Sequence, residues 1–158
     1  MEKKKTIALS GGFDPLHIGH IQLFKDAAEY GDVVVILNSD EWLARRRGYC
    51  FMPFVQRKYL LEQIPYIKSV MPVKDMDGTI CTALKNLKPN FFGNGGSRKK
   101  TNIPDAEKSI CDSLDITMIW NLGESAMQNH HIWRAQEVSI KEAIRLLEQY
   151  ERIDDAVL

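Results

Sequence analysis

The sequence predicts an α/β protein built on a doubly wound, parallel five-stranded sheet with helices on both faces. Three observations carry that expectation. Short apolar runs alternate with helical patterns through most of the chain. One run, Val33-Val34-Val35-Ile36-Leu37, is continuous, β-branched and too short for a helix, as a strand covered on both faces should be. Two glycine-rich segments, Gly11-Gly12 and Gly95-Gly96, each follow a strand-like run. Sheets of this kind bind ligands there, beyond the carboxyl ends of their strands, where the strand order reverses.

The first strand is read at Thr6 to Ser10, buried on both faces. Ile21, Phe24 and Ala28, with Leu23 and Ala27 beside them, form a helical stripe that stops at Gly31. After the Val33–Leu37 strand, Asn38-Ser39-Asp40 breaks the run, and a short helix carries Trp42 and Leu43. Pro53 suits the first turn of the next helix, whose expected buried stripe is Val55, Tyr59, Leu60 and Ile64. A third strand at Ile67 to Val73 and a helix at Thr79 to Leu87 follow. Phe91-Phe92 is a short strand running into Asn94-Gly95-Gly96-Ser97-Arg98, and 98–104 is a polar loop. Asp105 to Leu114 reads as helix and Ile116 to Trp120 as the fifth strand. Ser139-x-x-Glu142 is a capping-box pattern opening a C-terminal helix over 139–150. If the chain crosses back over strand one to add strand four, both glycine loops meet at one crevice of a Rossmann-like sheet.

At 158 residues the chain is expected to form one domain, 1–158, with a core of its own. Its 44% apolar and 27% charged residues are ordinary for a globular protein. The 21 basic and 21 acidic residues cancel, so nothing global points to nucleic acid or an anionic membrane. Lys3-Lys4-Lys5 and Arg45-Arg46-Arg47 are local clusters that fit a solvated face or a small anion site. Cys50, Cys81 and Cys111 are scattered and show no C-x-x-C pair, which suggests reduced thiols. With neither a membrane-length apolar run nor an apolar signal segment, a cytoplasmic location is expected. A homodimer is the default oligomer.

The stretch Gly11-Gly12-Phe13-Asp14-Pro15-Leu16-His17-Ile18-Gly19-His20 lies where the first strand ends and the first helix begins. Free backbone N–H groups and the helix dipole favour an anion at such a junction. Glycines let a ligand approach the backbone, and histidines three residues apart share a helix face. The stretch reads as a nucleoside triphosphate site. Rival readings are a zinc set of His17, His20 and Asp14, which the glycines argue against, and Asp14 as a mere turn or cap residue. Arg57 and the Arg45–Arg47 cluster also read as plain surface arginines.

Written Gly-x-Phe-Asp-x-x-His-x-Gly-His, this stretch resembles the signature of the cytidylyltransferase-like nucleotidyltransferases. Asn38-Ser39-Asp40, the basic residue before Gly48, Arg57 and Gly95-Gly96 look like further landmarks of that family. They are most similar to heptose-phosphate adenylyltransferases, and next to glycerol-3-phosphate cytidylyltransferase, over roughly residues 6 to 133. The resemblance implies transfer of a nucleoside monophosphate from ATP or CTP to a phosphorylated small molecule, with release of pyrophosphate. It implies that Gly12, Phe13, His17 and His20 contact the triphosphate, with Asp14, Gly95, Gly96 and Asn129 also on the nucleotide side. It further implies a divalent cation, usually Mg2+, held mainly through the nucleotide phosphates and not by a protein metal site. Arg57 and Arg47 would hold the acceptor phosphate, since guanidinium matches phosphate oxygens in a fork; His17, His20 and Arg57 would be catalytic. Two segments depart from the pattern. Asn94-Gly95-Gly96-Ser97 stands where the heptose type has Lys-Gly-Gly-Asp, and the segment Gly123 to His131 lacks the hydroxyl donors the family places near its last phosphate-binding helix. The alternative is therefore a family member that binds nucleotide without turnover. A flavodoxin-like protein would leave the paired histidines unexplained.

Overall fold

A computed structural model describes residues 4–96, 98–124, 144 and 145. Five strands, β1 (Thr6–Gly11), β2 (Asp32–Leu37), β3 (Ile67–Pro72), β4 (Phe91–Gly95) and β5 (Thr117–Leu122), form one sheet. The helices are α1 (Ile18–Ala28), α2 (Asp40–Arg47), α3 (Phe54–Glu62), α4 (Cys81–Leu87) and α5 (Asp105–Ser113). Strand order is β3-β2-β1-β4-β5, and all four pairings are parallel. The crossover places β4 beside β1, in register through Ile7–Phe91 and Leu9–Gly93. Order therefore reverses between β1 and β4, as the two glycine loops imply.

Alternation along the strands divides the core. Ile7 and Leu9 with Val33, Val35 and Leu37 pack against Phe24 and Ala27 of α1 and Leu61 of α3. Ala8, Ile36 and Phe92 face Ala83 and Leu84 of α4 and Cys111 of α5. Ile7, Ala8, Val35 and Ile36 are inaccessible to solvent, which explains why β1 and β2 are apolar at every position instead of at every second one. All three cysteines are free thiols. Among the described residues no helix is long and apolar enough to cross a membrane.

Three local expectations are corrected. First, α1 begins at Ile18, ahead of the apolar stripe read from Ile21, because the His17 side chain caps it. Second, β4 continues through Asn94-Gly95, where the sequence suggests a loop. A Cβ on Gly95 would lie 2.3 Å from the Leu122 carbonyl oxygen, so only glycine lets β4 and β5 run this close. Third, α3 is turned relative to its apolar pattern. Val55, Tyr59 and Leu60 are exposed, at 76%, 63% and 42%, while Arg57 and Leu61 are wholly buried.

The chain divides into two compact units, Met1–Ala126 and Met127–Leu158. Only 144 and 145 of the second are described, and both are helical. The rest of the expected 139–150 helix lies outside the described residues, as do Ser97 and Asn129.

The orientation of α3 sets an expected outcome. Leu61→Ala should lose about 2–5 kcal/mol in urea unfolding, whereas Tyr59→Ala should stay within about 0.5 kcal/mol of the parent. The opposite ranking would show that the apolar stripe of α3 faces inward after all.

Candidate active site

The β1–α1 junction is assembled from short-range contacts. His17 precedes α1 in an extended conformation, and its Nδ1 accepts the Gly19 N–H at 3.1 Å. His20, one turn into the helix, returns the favour: its Nδ1 accepts the His17 N–H at 3.3 Å. This is a capping box in which two imidazoles replace the usual hydroxyl and carboxylate. The rings stack with centroids 3.7 Å apart and planes 23° from parallel. A Cβ on Gly19 would meet the His17 ring at 3.0 Å, so the glycine of His-x-Gly-His makes room for the ring.

Those bonds fix the tautomer. An imidazole whose Nδ1 accepts carries its proton on Nε2, so both rings present Nε2–H as a donor. His20 is lowered to a pKa of about 3 by burial, by His17 beside it and by the Arg47 charge. It is thus a neutral donor at neutral pH. The helix start is not the open anion site that the sequence suggests, because His17 already takes the Gly19 and His20 N–H groups through its ring and carbonyl. The unpaired backbone donors lie earlier. No acceptor among the described residues takes the N–H of Gly12 or Phe13, both of which are buried. Buried N–H groups rarely stay unpaired, and two in succession suit an anionic oxygen. Phe13 holds φ at 49° and packs its ring edge-on to His20 at 5.0 Å.

The carboxylate and one arginine of the motif have other duties. Asp14, 3% exposed, accepts the Phe51 and Met52 N–H groups at 2.7 Å each, one on each oxygen. Both oxygens are engaged in tying residues 51–52 to the loop, so the expectation of a nucleotide contact gives way to the turn-residue reading. Arg57, expected to hold a substrate phosphate and take part in catalysis, is inaccessible to solvent. Its Nε donates to the Met52 carbonyl at 2.8 Å, and Nη1 to those of Gly12 at 2.7 Å and Asn38 at 2.9 Å. Nη2 pairs with Asp40 at 2.6 Å. Four of its five N–H donors are thereby used inside the protein. Burial works against the Asp40 charge, but hydrogen bonds from Arg57 and Cys50 outweigh it and hold the carboxyl below its ordinary value.

The cluster Arg45–Arg47 does lie near the junction. Arg47 Nη1 donates to the Asp14 carbonyl at 2.6 Å, leaving the rest of an exposed guanidinium beside His20. Arg45 and Arg46 line a cavity of about 240 Å³ with Trp42, Met76, Asp77 and Gly78, beyond the ends of β2 and β3. Cavity and junction adjoin: a Trp42 ring carbon stands 3.8 Å from where a Cβ on Gly12 would be. Gly95 ends β4, and Gly96 follows it with φ of 61°. Asn94 is buried with its Oδ1 lacking a donor among the described residues. At the end of β5, the Gly123 N–H donates to Asp26 of α1 at 2.8 Å. The sequence offers the whole Arg45–Arg47 cluster as a source of an acceptor arginine and puts Arg47 forward from it; the two at the cavity are Arg45 and Arg46, and α2's exposed face carries no signal to choose among three neighbours.

The model of the cytidylyltransferase-like family matches residues 8–105, from the core of β1 to the start of α5. The chain belongs to the cytidylyltransferase-like family. Its curated relatives include the glycerol-3-phosphate cytidylyltransferase of Staphylococcus aureus, 38% identical over 44% of this chain and 54% of that protein. The bifunctional protein HldE of Sulfurimonas denitrificans is 31% identical over 66% of this chain and 22% of that protein. The chain thus spans about half the length of the first and about a fifth of the second. A solved structure described as the lipopolysaccharide core biosynthesis protein from Thermoplasma volcanium shares the fold, with a TM-score of 0.62 at 23% identity over 76% of this chain and 97% of that one.

Two outcomes follow from the buried groups. Arg57→Met should lower stability by about 3–5 kcal/mol in chemical denaturation, because Asp40 and three carbonyls lose their partner; an unchanged midpoint would return Arg57 to the substrate. His20 binds a proton more readily when unfolded, at 6.5, than when folded, at about 3, so its contribution withdraws stability as pH falls below 6.5 towards 3. By NMR its ring should not titrate between about pH 5 and 8; a midpoint near 6.5 would contradict its burial.

Proposed function

We propose that the protein is a nucleotidyltransferase that moves a nucleoside monophosphate from ATP or CTP to a small phosphorylated metabolite, a sugar or polyol phosphate, with release of pyrophosphate. The observation that carries this reading is the locked imidazole pair. Two Nδ1 atoms that accept backbone N–H groups leave the proton of each ring on Nε2, in the same turn as the Gly12 and Phe13 N–H groups, which no acceptor among the described residues takes. Neutral, rigid donors of this kind stabilise charge gathering on a phosphoryl group without reorganising during the reaction.

In the step, an oxygen of the acceptor's phosphate, already deprotonated, forms a bond to the α-phosphorus. The bond from that phosphorus to the α–β bridging oxygen breaks, and its electron pair leaves with pyrophosphate. No proton need be removed, which agrees with a His20 too weakly basic to take one. The two imidazoles serve as hydrogen-bond donors and Arg47 as the cation beside them, while Arg45 and Arg46 give the neighbouring cavity a positive field that draws anionic substrates in. The indole of Trp42, between cavity and junction, suits an acceptor with an apolar or carbohydrate face.

No group of three His, Cys, Asp or Glu side chains among the described residues is arranged to hold a metal ion. The junction offers N–H donors, and the Asp14 oxygens are engaged, so its chemistry fits a cation that arrives on the phosphates. Such an ion, Mg2+ foremost, would offset the triphosphate's charge.

The reading is tested by pyrophosphate release with ATP and CTP across a panel of sugar and polyol phosphates, glycerol 3-phosphate among them. Turnover with at least one pair is expected, and His20→Ala should lower it by roughly 10²–10³. Triphosphate binding without turnover on any acceptor would favour a protein that only binds nucleotide. Near-normal turnover in His20→Ala would remove that residue from the chemistry.

A further inference from the structure

With Arg57 sealed, and Arg45 and Arg46 lining the cavity, one further guanidinium is held at the end of β1. No motif singles out Arg98. Its Nη1 donates to the Ser10 hydroxyl at 2.6 Å, one residue before Gly11-Gly12. Its Nη2 pairs with Glu107, whose other oxygen accepts the Ile80 N–H at 3.2 Å, two residues past the cavity-lining Gly78. The guanidinium lies over the Phe92 ring, 5.3 Å from its centroid. It therefore spans the ends of β1 and β4, on the face of the sheet that carries α4 and α5.

A buried carboxylate needs a cation, and Glu107 at 2% exposure would by itself account for an ion pair. It does not account for the open edge. Arg57 has four of its five donors engaged and no exposure. Arg98 has only two engaged among the described residues, and 27% of its side chain is exposed. An arginine oriented by a buried carboxylate, stacked on a phenyl ring and left with unpaired N–H groups is prepared for a second anion in a fork.

We propose that Arg98 binds the acceptor's phosphate at the switch point between β1 and β4, holding it against the α-phosphate of the nucleotide. The site takes a phosphate monoester. The inference rests on the nucleotidyl-transfer reading for the identity of the bound group, but its test does not require turnover.

The full chain is assayed as wild type, Arg98→Met, Arg98→Lys, and Arg98→Met combined with Glu107→Met, which avoids stranding the buried carboxylate if the single variant fails to fold. With glycerol 3-phosphate as the acceptor probe, loss of one or two charged hydrogen bonds should raise its KM roughly ten- to a hundredfold. KM for the triphosphate should stay within about twofold, and Arg98→Lys should recover part of the loss. An unchanged acceptor KM, or a rise confined to the triphosphate, overturns the proposal, whatever happens to thermal stability. If wild type releases no pyrophosphate with any pair, the functional reading fails. Calorimetric binding of glycerol 3-phosphate and inorganic phosphate to the same proteins then decides Arg98. Binding by wild type that Arg98→Met loses supports the site; equal binding, or none by wild type, overturns it.

Discussion

One buried guanidinium holds the site in shape. Arg57 gathers the carbonyls of Gly12, Asn38 and Met52 and the carboxylate of Asp40 around a single plane. These belong to the turn after β1, the turn after β2, the approach to α3 and the first turn of α2. Strand ends in an open parallel sheet carry carbonyls that the next residue of sheet no longer satisfies. Water normally meets that need. Here a charged donor does, and the turns it binds are held with their N–H groups facing the other way. Asp14 complements it by accepting two N–H groups from 51–52. Together the two residues turn a pair of flexible loops into a rigid wall, the condition under which fixed dipoles stabilise developing charge.

The histidine pair shows a second economy. Each ring spends one nitrogen on the local backbone, and that bond decides what the other nitrogen is. The helix cap, the tautomer and the donor geometry are one structural fact. Gly19 belongs to it as well, because the His17 ring occupies the space where its side chain would be. Burial then keeps His20 from protonating, so what this ring offers is a directed hydrogen bond and not imidazolium charge, and the charge beside it is that of Arg47.

Much of this was legible beforehand, for definite reasons. The β-branched run of β2 and the strand-like runs around it reveal the sheet, because a strand covered on both faces has no polar positions to confuse it. The glycine pairs reveal where the order reverses. The rotation of α3 was not legible. Hydropathy favours Val55, Tyr59 and Leu60 as the buried stripe, yet the inward position belongs to Arg57, since what the core needs there is donors for three carbonyls. Periodicity has no term for that need. The same blindness hides Arg98, whose partner Ser10 comes from a distant part of the chain. Motif spacing sees residues that act side by side in sequence; it does not see groups brought together across 88 positions.

The division of the site also bears on how the chain acquires it. The Asp14 and Arg57 bonds that shape the histidine half join residues between Gly12 and Arg57, so these contacts can close over loops of modest length once α3 has formed. The β1–β4 pairing and the Ser10–Arg98 bond join residues more than eighty apart and must await the rest of the sheet. On a ribosome the first half would emerge and settle while its opposite wall is still being synthesised. An intermediate with native-like 11–57 and an unpaired β1 edge would therefore carry the histidine turn before the Arg98 wall exists to face it.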